Sequence, residues 1–242
     1  MSVNLGNPDT ARARARWWGA DGDVLQLILT DQHIVPEPDE VASWLDAAGR
    51  AGARSLRTGA LYSPAAARFA ACGFDVIDTL TLLEIDLSRH PVAAELGDGS
   101  RTAPLRRRHD PAAADIDRRA FGAPWANDVD DLDDIRLATP LHRARGRFAP
   151  GRGRSRTLVG FAITGAAGGQ GYLQRLAVDP DHQHRGHGRA LTVDSLRWMR
   201  RRRLRRGLVN TAVTNDAALA LYTSVGFTPM SERLVVMQRS VT

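Results

Sequence analysis

The stretch D-H-Q-H-R-G-H-G-R-A, Asp181 to Ala190, decides how this chain is read. A short apolar run, Tyr172 to Val178, precedes it and a long amphipathic, arginine-rich run follows. That order is a strand, a glycine-containing turn and the start of a helix. Such a turn leaves several backbone N–H groups without intrahelical partners at the positive end of a helix dipole, which is a ready anion site. Gly186 and Gly188 carry no Cβ, so a phosphate can approach the main chain there. The spacing is Gln-x-x-Gly-x-Gly, unlike the Gly-x-Gly-x-x-Gly of dinucleotide folds, and no Gly-Lys-Ser/Thr follows to mark a triphosphate site. His182, His184 and His187, with Asp179 and Asp181 beside them, offer a rival metal reading. Three ligands within one irregular turn rarely converge, so solvated histidines and no metal are expected.

Outward from the turn, Leu208 to Thr214 reads as a second strand and Asn215-Asp216 as the cap of a helix, Ala217 to Val225. Gly226 ends that helix, and a last strand runs from Pro229 to Val241. On the N-terminal side, Thr102 to Arg106 is a candidate strand and Pro111 to Phe121 a helix with proline at its first position. Val129 to Ala138 makes another helix, with Asp130, Asp131, Asp133 and Asp134 early in it, where the dipole favours them. Arg143 to Phe148 and Thr157 to Thr164 supply two more strands.

L-Q-R-L-A-V-D-P-D-H-Q-H-R-G-H-G-R-A-L, followed by N-D-A-A-L-A-L-Y-T-S-V-G-F, resembles the GNAT family, the Gcn-five-related N-acetyltransferases. The resemblance covers the second half of the chain, from about Arg101 to the C-terminus. It implies a mixed α/β fold in which a central twisted mixed sheet is flanked by helices. It also implies an acetyl-CoA-dependent N-acetyltransferase that carries an acetyl group to a primary amine by direct attack. The amine is left open among a peptide N-terminus, a lysine and a small molecule. By the same resemblance, the backbone of Leu176, Ala177 and Val178 pairs with the pantetheine amides like an added strand. The loop Gln183, His184, Arg185, Gly186, His187, Gly188 and Arg189 takes the pyrophosphate, Arg185 or Arg189 adding charge. Asn215 steadies the pantetheine arm.

Tyr222 is the expected acid. It lies seven residues after Asn215, nearly two helical turns, so both project from one helix face. A phenol of pKa about 10 can protonate a departing thiolate of conjugate pKa about 8.5 when the site makes up the difference. The branch of the family that acetylates ribosomal protein N-termini has a glutamate five residues before the helix-start asparagine. Here that position is Asn210, which takes no proton, although Trp125 in F-G-A-P-W is similar to that branch. Glu232, Asp128 or a water chain are left as candidate bases.

The first half echoes the second. Superposing Gly73-Phe74 on Gly226-Phe227 aligns Phe69 with Tyr222 and Tyr62 with Asn215. Val41 to Arg50 then falls on the helix after the glycine loop, and Asp23 to Leu29 on the strand entering it. The loop position holds I-V-P-E-P-D-E, without glycine and acidic enough to repel phosphate. Residues 1–95 are therefore expected to be a partial, degenerate GNAT-like repeat of structural role, and 101–242 the acetyltransferase domain, with a linker from Ser88 to Ser100. A half-fold needs the second half, or a second copy in a homodimer, to cover its apolar face.

Composition sets the remaining bounds. Of 242 residues, 43% are hydrophobic and 25% charged, as in soluble globular proteins. No apolar run is long enough for a membrane span and M-S-V-N-L-G-N-P-D is no signal peptide, so no membrane partner is expected. Cys72 is the only cysteine, which excludes an internal disulfide and fits the cytoplasm; a buried helix face is its expected place. The net charge is +6 with no lysine at all. The arginines at 197, 200–203, 205 and 206 read first as a solvated helix end. Two alternatives stay open beside the enzyme: a catalytically silent acetyl-CoA binder, and an arginine-rich nucleic-acid-binding protein on a GNAT scaffold.

Overall fold

The computed structural model describes residues 2–3, 12–18, 23–31, 35–89, 102–150 and 156–241. The chain is mixed α/β and forms two compact units that alternate along the sequence. One comprises Met1–Leu82, Asn210–Thr214 and Met230–Thr242, the other Leu83–Val209 and Asn215–Pro229. Beyond Arg89 the expected linker lies outside the described residues.

In the first unit, β1 (Ser2–Val3), β2 (Ala13–Trp18) and β3 (Val24–Leu29) pair antiparallel in turn. Helix α1 (Pro38–Arg50) then crosses over so that β4 (Ser55–Thr58) runs parallel to β3. Pro38 opens α1, where its missing N–H costs nothing, and Glu40 returns its carboxylate to the Glu37 N–H at 2.8 Å. Helix α2 (Ser63–Ala71) leads into β5 (Asp75–Asp86), which starts in this unit and ends in the other. Leu25 and Leu27, on alternate positions of β3, meet Val41, Trp44, Leu56, Phe69 and Met237 in one core.

In the second unit, β6 (Ala103–Pro104), β7 (Leu141–Pro150), β8 (Arg156–Ala167) and β9 (Gln170–Val178) form an antiparallel meander. Helices α3 (Asp110–Phe121) and α4 (Val129–Leu137) lie between β6 and β7 in sequence. Helix α5 (His187–Arg201) is the crossover that makes β10 (Arg206–Ala212) parallel to β9, and α6 (Asp216–Ser224) leads into β11 (Thr228–Ser240). Most of β11 belongs to the first unit, where it pairs antiparallel with β4.

Strand β8 is buried along most of its length because helices cover both of its faces. Phe161 and Ile163 meet Ile116 of α3 and Leu132 of α4, while Ala162 and Ala166 meet Leu191 and Leu196 of α5. A strand buried on both sides reads as a continuous apolar run, as T-L-V-G-F-A-I-T does.

Candidate active site

Two irregularities of β9 set up the site. Strand β10 pairs with it at only three positions, Arg206↔Gln170, Gly207↔Gly171 and Leu208↔Tyr172. Past that point β9 carries a bulge: Ile163 of β8 faces Arg175 while Thr164 faces Leu173, leaving Gln174 as the extra residue. Pairing with β8 nevertheless continues to Val178. From Leu173 to Val178 one edge of β9 therefore has no paired strand among the described residues. Leu176 is half-buried, Ala177 buried and Val178 half-buried along this edge.

The edge ends in the turn quoted at the outset. Pro180–His182 form one turn of 3-10 helix, begun by Asp179, whose carboxylate accepts the Asp181 N–H at 2.9 Å. Arg119 of α3 clamps this turn, donating to Asp179 at 2.5 Å and to Asp181 at 2.8 Å. Its hydrogen bond and charge hold the Asp181 carboxyl below the usual range, and the same bond raises the guanidinium. Gln183 Nε2 donates back to the Val178 carbonyl at 3.2 Å. His184 and Gly186 both adopt left-handed conformations (φ 58° and 78°), so the chain doubles back sharply before α5 begins at His187. The two glycines serve different ends. Gly186 is needed for its positive φ, whereas a Cβ on Gly188 would stand 3.2 Å from Leu221 Cδ2 of α6. His184 and Arg185 are exposed, Gln183 is exposed, and Arg189 is half-buried.

The expectation of solvated histidines holds only for His184. His182 is half-buried, with Nδ1 3.7 Å from Asp179 Oδ1, and His187 Nδ1 takes bonds from Arg147 of β7 at 3.1 and 3.2 Å. Asp179 and Asp181 bond to Arg119, and His187 to Arg147, while the buried His182 Nδ1 makes no hydrogen bond among the described residues.

Asn215 caps α6, its Oδ1 accepting from the Ala218 N–H at 3.1 Å. Tyr222, two turns on, is 5% exposed and meets Phe227 edge-on, ring centres 5.8 Å apart. Burial pushes its phenol up to about 12, and the positive charge of Arg175 pulls the other way. The hydroxyl has no hydrogen-bond partner among the described residues.

Arg175 itself is held from several sides. Its Nε and Nη2 fork onto Asp117 of α3 at 2.7 and 2.6 Å, and Nη2 also donates to the Trp125 carbonyl at 2.9 Å. Asp117 is fully buried and accepts the Asn127 N–H at 2.8 Å as well. The Asn127 amide, with its oxygen turned to the guanidinium, accepts from Arg175 Nη2 at 2.9 Å. The guanidinium lies 3.6 Å from the ring centre of Phe121. One side chain of β9 thus fastens the F-G-A-P-W segment to the strand.

Comparison with known proteins now decides the family. Residues 111–227 match the family model described as "Acetyltransferase (GNAT) family". Residues 111–227 are a GNAT domain. A mycothiol acetyltransferase of Thermobispora bispora is 34% identical over 78% of this chain and 66% of its own length. The [ribosomal protein bS18]-alanine N-acetyltransferase of Escherichia coli is 29% identical over 48% of this chain and 73% of its own. Against the mycothiol acetyltransferases of Thermobispora bispora and Catenulispora acidiphila, the chain spans less than two thirds of the relative, 66% and 56%. Among solved structures, a tandem GNAT protein from the clavulanic acid biosynthesis pathway shares the fold at a TM-score of 0.65. That match has 17% identity and covers 95% of this chain and 78% of the other.

The tandem GNAT architecture fits a repeat in the first unit, and the local geometry bears the marks of one. Phe74 N–H bonds to the Phe69 carbonyl at 3.1 Å, and Phe227 N–H to the Tyr222 carbonyl at 3.0 Å. Both helices end at a left-handed glycine, Gly73 and Gly226. Phe69 is fully buried and carries no hydroxyl. Cys72, expected on a buried helix face, is half-buried at the C-terminal cap of α2.

The candidate bases are less well provided for. Glu232 is exposed, and Asp128 is occupied as the N-cap of α4, accepting from Asp131 N–H at 2.8 Å; Asn210, which takes no proton, is exposed as well. Of the acidic run, Asp131 completes that capping box and Asp133 accepts from Arg107 and Arg136 at 2.5 and 2.9 Å. Arg200–Arg203, Arg205 and Arg206 are exposed, as a solvated helix end should be. Among the described residues no helix is long and apolar enough to cross a membrane.

Sequence reasoning missed Arg119, Arg147 and the Asp117–Arg175 pair. One signal was present. Arg143, Arg145 and Arg147 alternate along β7, and such a run on a strand packed against a helix calls for partners there. The partners are Asp194, ion-paired with Arg143 at 2.8 Å, and His187, seven residues earlier on α5.

Proposed function

We propose that this chain is an acetyl-CoA-dependent N-acetyltransferase acting on a primary amine, with the second unit catalytic and the first structural. The observation that carries this reading is the free edge of β9, which ends in the glycine turn at the N-terminus of α5 within the unit that holds Tyr222. An extended amide-containing arm adds to such an edge as a strand would, here on Leu176, Ala177 and Val178. The N–H groups from Gln183 to Arg189 receive the diphosphate, with Arg185 and Arg189 adding charge. Asn215, its oxygen engaged in the cap, keeps its amide N–H groups for the pantetheine.

The chemistry follows from these groups. A neutral amine attacks the thioester carbonyl, the C–S bond breaks, and the thiolate takes the proton of Tyr222 Oη. The proton lost by the new amide nitrogen restores the phenol. A phenol at about 12 facing a thiol near 8.5 makes a free transfer uphill by roughly 3.5 units, about 5 kcal/mol. Transfer therefore coincides with C–S cleavage rather than preceding it, and Arg175 eases it by favouring the phenolate. Asn210 supplies no base, so the amine has to arrive deprotonated. The relatives are named for mycothiol and for an alanine of a ribosomal protein. For this chain the class is a primary amine: a peptide N-terminus, a lysine or a small molecule, met in the cytoplasm.

The test is calorimetric titration of acetyl-CoA into the wild type and Gly188→Trp at two salt concentrations. Saturable binding that the bulky residue abolishes supports the reading, and an amine panel with Tyr222→Phe as control follows. Absence of wild-type binding at either salt sinks it.

A further inference from the structure

We propose that the arginines ending α5 and opening β10 form a docking surface for the phosphate backbone of a nucleic acid, held without regard to sequence. Arg200, Arg201, Arg202, Arg203, Arg205 and Arg206 are all exposed at the end of α5 remote from the glycine turn. A helix of 15 residues puts about 22 Å between its two ends, so these charges stand apart from a diphosphate held at that turn. The Arg205 carbonyl accepts the Leu87 N–H at 2.9 Å, which brings Arg89 to the same end of the unit. The ion pairs of this cluster involve two carboxylates: Glu84 lies 3.3 Å from Arg206, and Asp86 3.6 Å from Arg89. The Arg202 guanidinium lies over Trp198, 4.8 Å from the ring centre. The side chains of Arg200, Arg201, Arg203 and Arg205 make no ion pair or hydrogen bond among the described residues. The negative end of a helix dipole amounts to about half a charge, so it offsets less than one of these four.

The backbone at Arg203 points the same way independently. Helix α5 ends with the Leu204 N–H on the Met199 carbonyl at 3.2 Å and the Arg203 N–H on the Arg200 carbonyl at 2.8 Å, a closure that calls for a left-handed residue at position 203. Helices α1, α2 and α6 close in the same way on Gly52, Gly73 and Gly226, whereas α5 closes on Arg203 at φ 57°. A Cβ is costly in that conformation, and here the costly residue also adds a like charge to a crowded end. None of the large apolar side chains exposed among the described residues lies in this stretch. The surface therefore has neither the apolar centre of a protein interface nor a wedge for a bilayer. Trp198 is 8% exposed beneath Arg202, so it offers bases no open platform to stack on. The surface acts through charge, and the guanidinium fork matches paired phosphate oxygens. A phosphate backbone is the partner that charge alone can hold, and contacts to it carry no sequence information.

The test follows the fluorescence anisotropy of a labelled duplex of about 20 base pairs, DNA and separately RNA, as the full chain is added at roughly 50 to 200 mM salt. With the four unpaired arginines engaged, the logarithm of DNA affinity should fall against that of salt with a slope of about −3.6, roughly 150-fold across the range. Arg200→Gln/Arg201→Gln/Arg203→Gly/Arg205→Gln should remove most of that slope. Arg14→Gln/Arg50→Gln/Arg54→Gln/Arg118→Gln takes an equal charge from exposed arginines elsewhere and should keep it. Arg203→Gly alone should weaken duplex binding several-fold while raising the melting temperature by roughly 2–4 °C, so that lost binding is not lost folding. Acetyl-CoA affinity of the first fourfold variant should equal that of the wild type. Binding of either duplex with these dependences supports the proposal and identifies the kind of backbone. A wild-type slope near zero, equal losses in the two fourfold variants, or binding to vesicles of anionic lipid with none to either duplex overturns it. A parallel loss of acetyl-CoA affinity in the first fourfold variant would assign the cluster to the donor site and overturns it too.

Discussion

Tyr222→Phe is expected to resist alkali better than the wild type, and the size of the effect follows from burial. The phenol is pushed up to about 12 in the folded protein, while in the unfolded chain it titrates near 10. Between those values the unfolded chain has lost the proton and the folded one retains it. Stability therefore falls as pH rises through this window. Two units at 1.36 kcal/mol each amount to about 3 kcal/mol lost between pH 10 and 12, a loss the phenylalanine variant escapes. The chain suits the measurement because it has no lysine to titrate in this window. Tyr62 and Tyr172 are the only other phenols, and both proteins carry them. Urea unfolding followed by circular dichroism at pH 9, 10, 11 and 12 reads the difference directly. At pH 9 the two proteins should be nearly equal, since the lost hydroxyl has no hydrogen-bond partner among the described residues. Above pH 10 the curves should diverge. Curves that stay parallel to pH 12 would mean that Tyr222 ionises as it does in water, and the buried acid assigned to the site would not exist.

Asp117→Asn leaves Arg175 facing a neutral amide in a buried site, a loss of about 3–5 kcal/mol and roughly 10 °C in a thermal melt. Asp115→Asn, which breaks only the exposed pair with Arg118, should leave the melting curve in place. Arg119→Ala should weaken acetyl-CoA binding several-fold by releasing the turn at Pro180–His182. In the wild type the Asp181 carboxyl lies below its ordinary value of 3.8, so its contribution is complete above about pH 4 and is lost as pH falls through the depressed value. An acid titration of Arg119→Ala should lack that step. Glu40→Ala removes the acceptor of the Glu37 N–H in the first unit and should cost about 1 kcal/mol in urea unfolding, with acetyl-CoA affinity unchanged.

What the sequence disclosed and what it hid divide along the range of the interactions. The strand, glycine turn and helix around Asp181–Ala190 are set by local chemistry, and so is the Gly-Phe helix ending that occurs twice. Strand β2 went unread, although the alanines and arginines of Ala13–Arg16 alternate, with Ala13 and Ala15 buried. Arg175 was not legible. In L-Q-R-L it reads as an outward residue, and only Asp117, contributed by a helix far away in sequence, makes its position an interior one. The bulge at Gln174 was hidden for the same reason, since register is a property of two strands and no residue type in β9 announces it. Nor does anything local tell β11 to pair with β4, seated in the other unit from the helix that precedes it.

Three independent features argue that the first unit bears no donor site, although α2 ends there as α6 ends in the second. Its parallel strands stay together: β3 and β4 pair at four consecutive positions from Val24↔Ser55 to Leu27↔Thr58, and the Gly59 N–H extends the ladder to the Leu27 carbonyl at 2.8 Å. From Val24 to Leu27, that side of β3 offers an arm no edge. The start of the crossover helix is also already satisfied. Glu37 and Glu40 bring carboxylates to the N-terminus of α1, where the helix dipole and the capping box use them. Glu37 lies 3.7 Å from Arg68 and Glu40 3.4 Å from Arg12, so the cations nearby are engaged as well. A diphosphate approaching this helix would meet two fixed negative charges in place of the open N–H groups at His187. Finally, Phe69 fills the core as Tyr222 does and has no proton to give. Restoring a tyrosine at position 69 would therefore bury a phenol beside a closed ladder and an anionic helix start, and should yield no second active site.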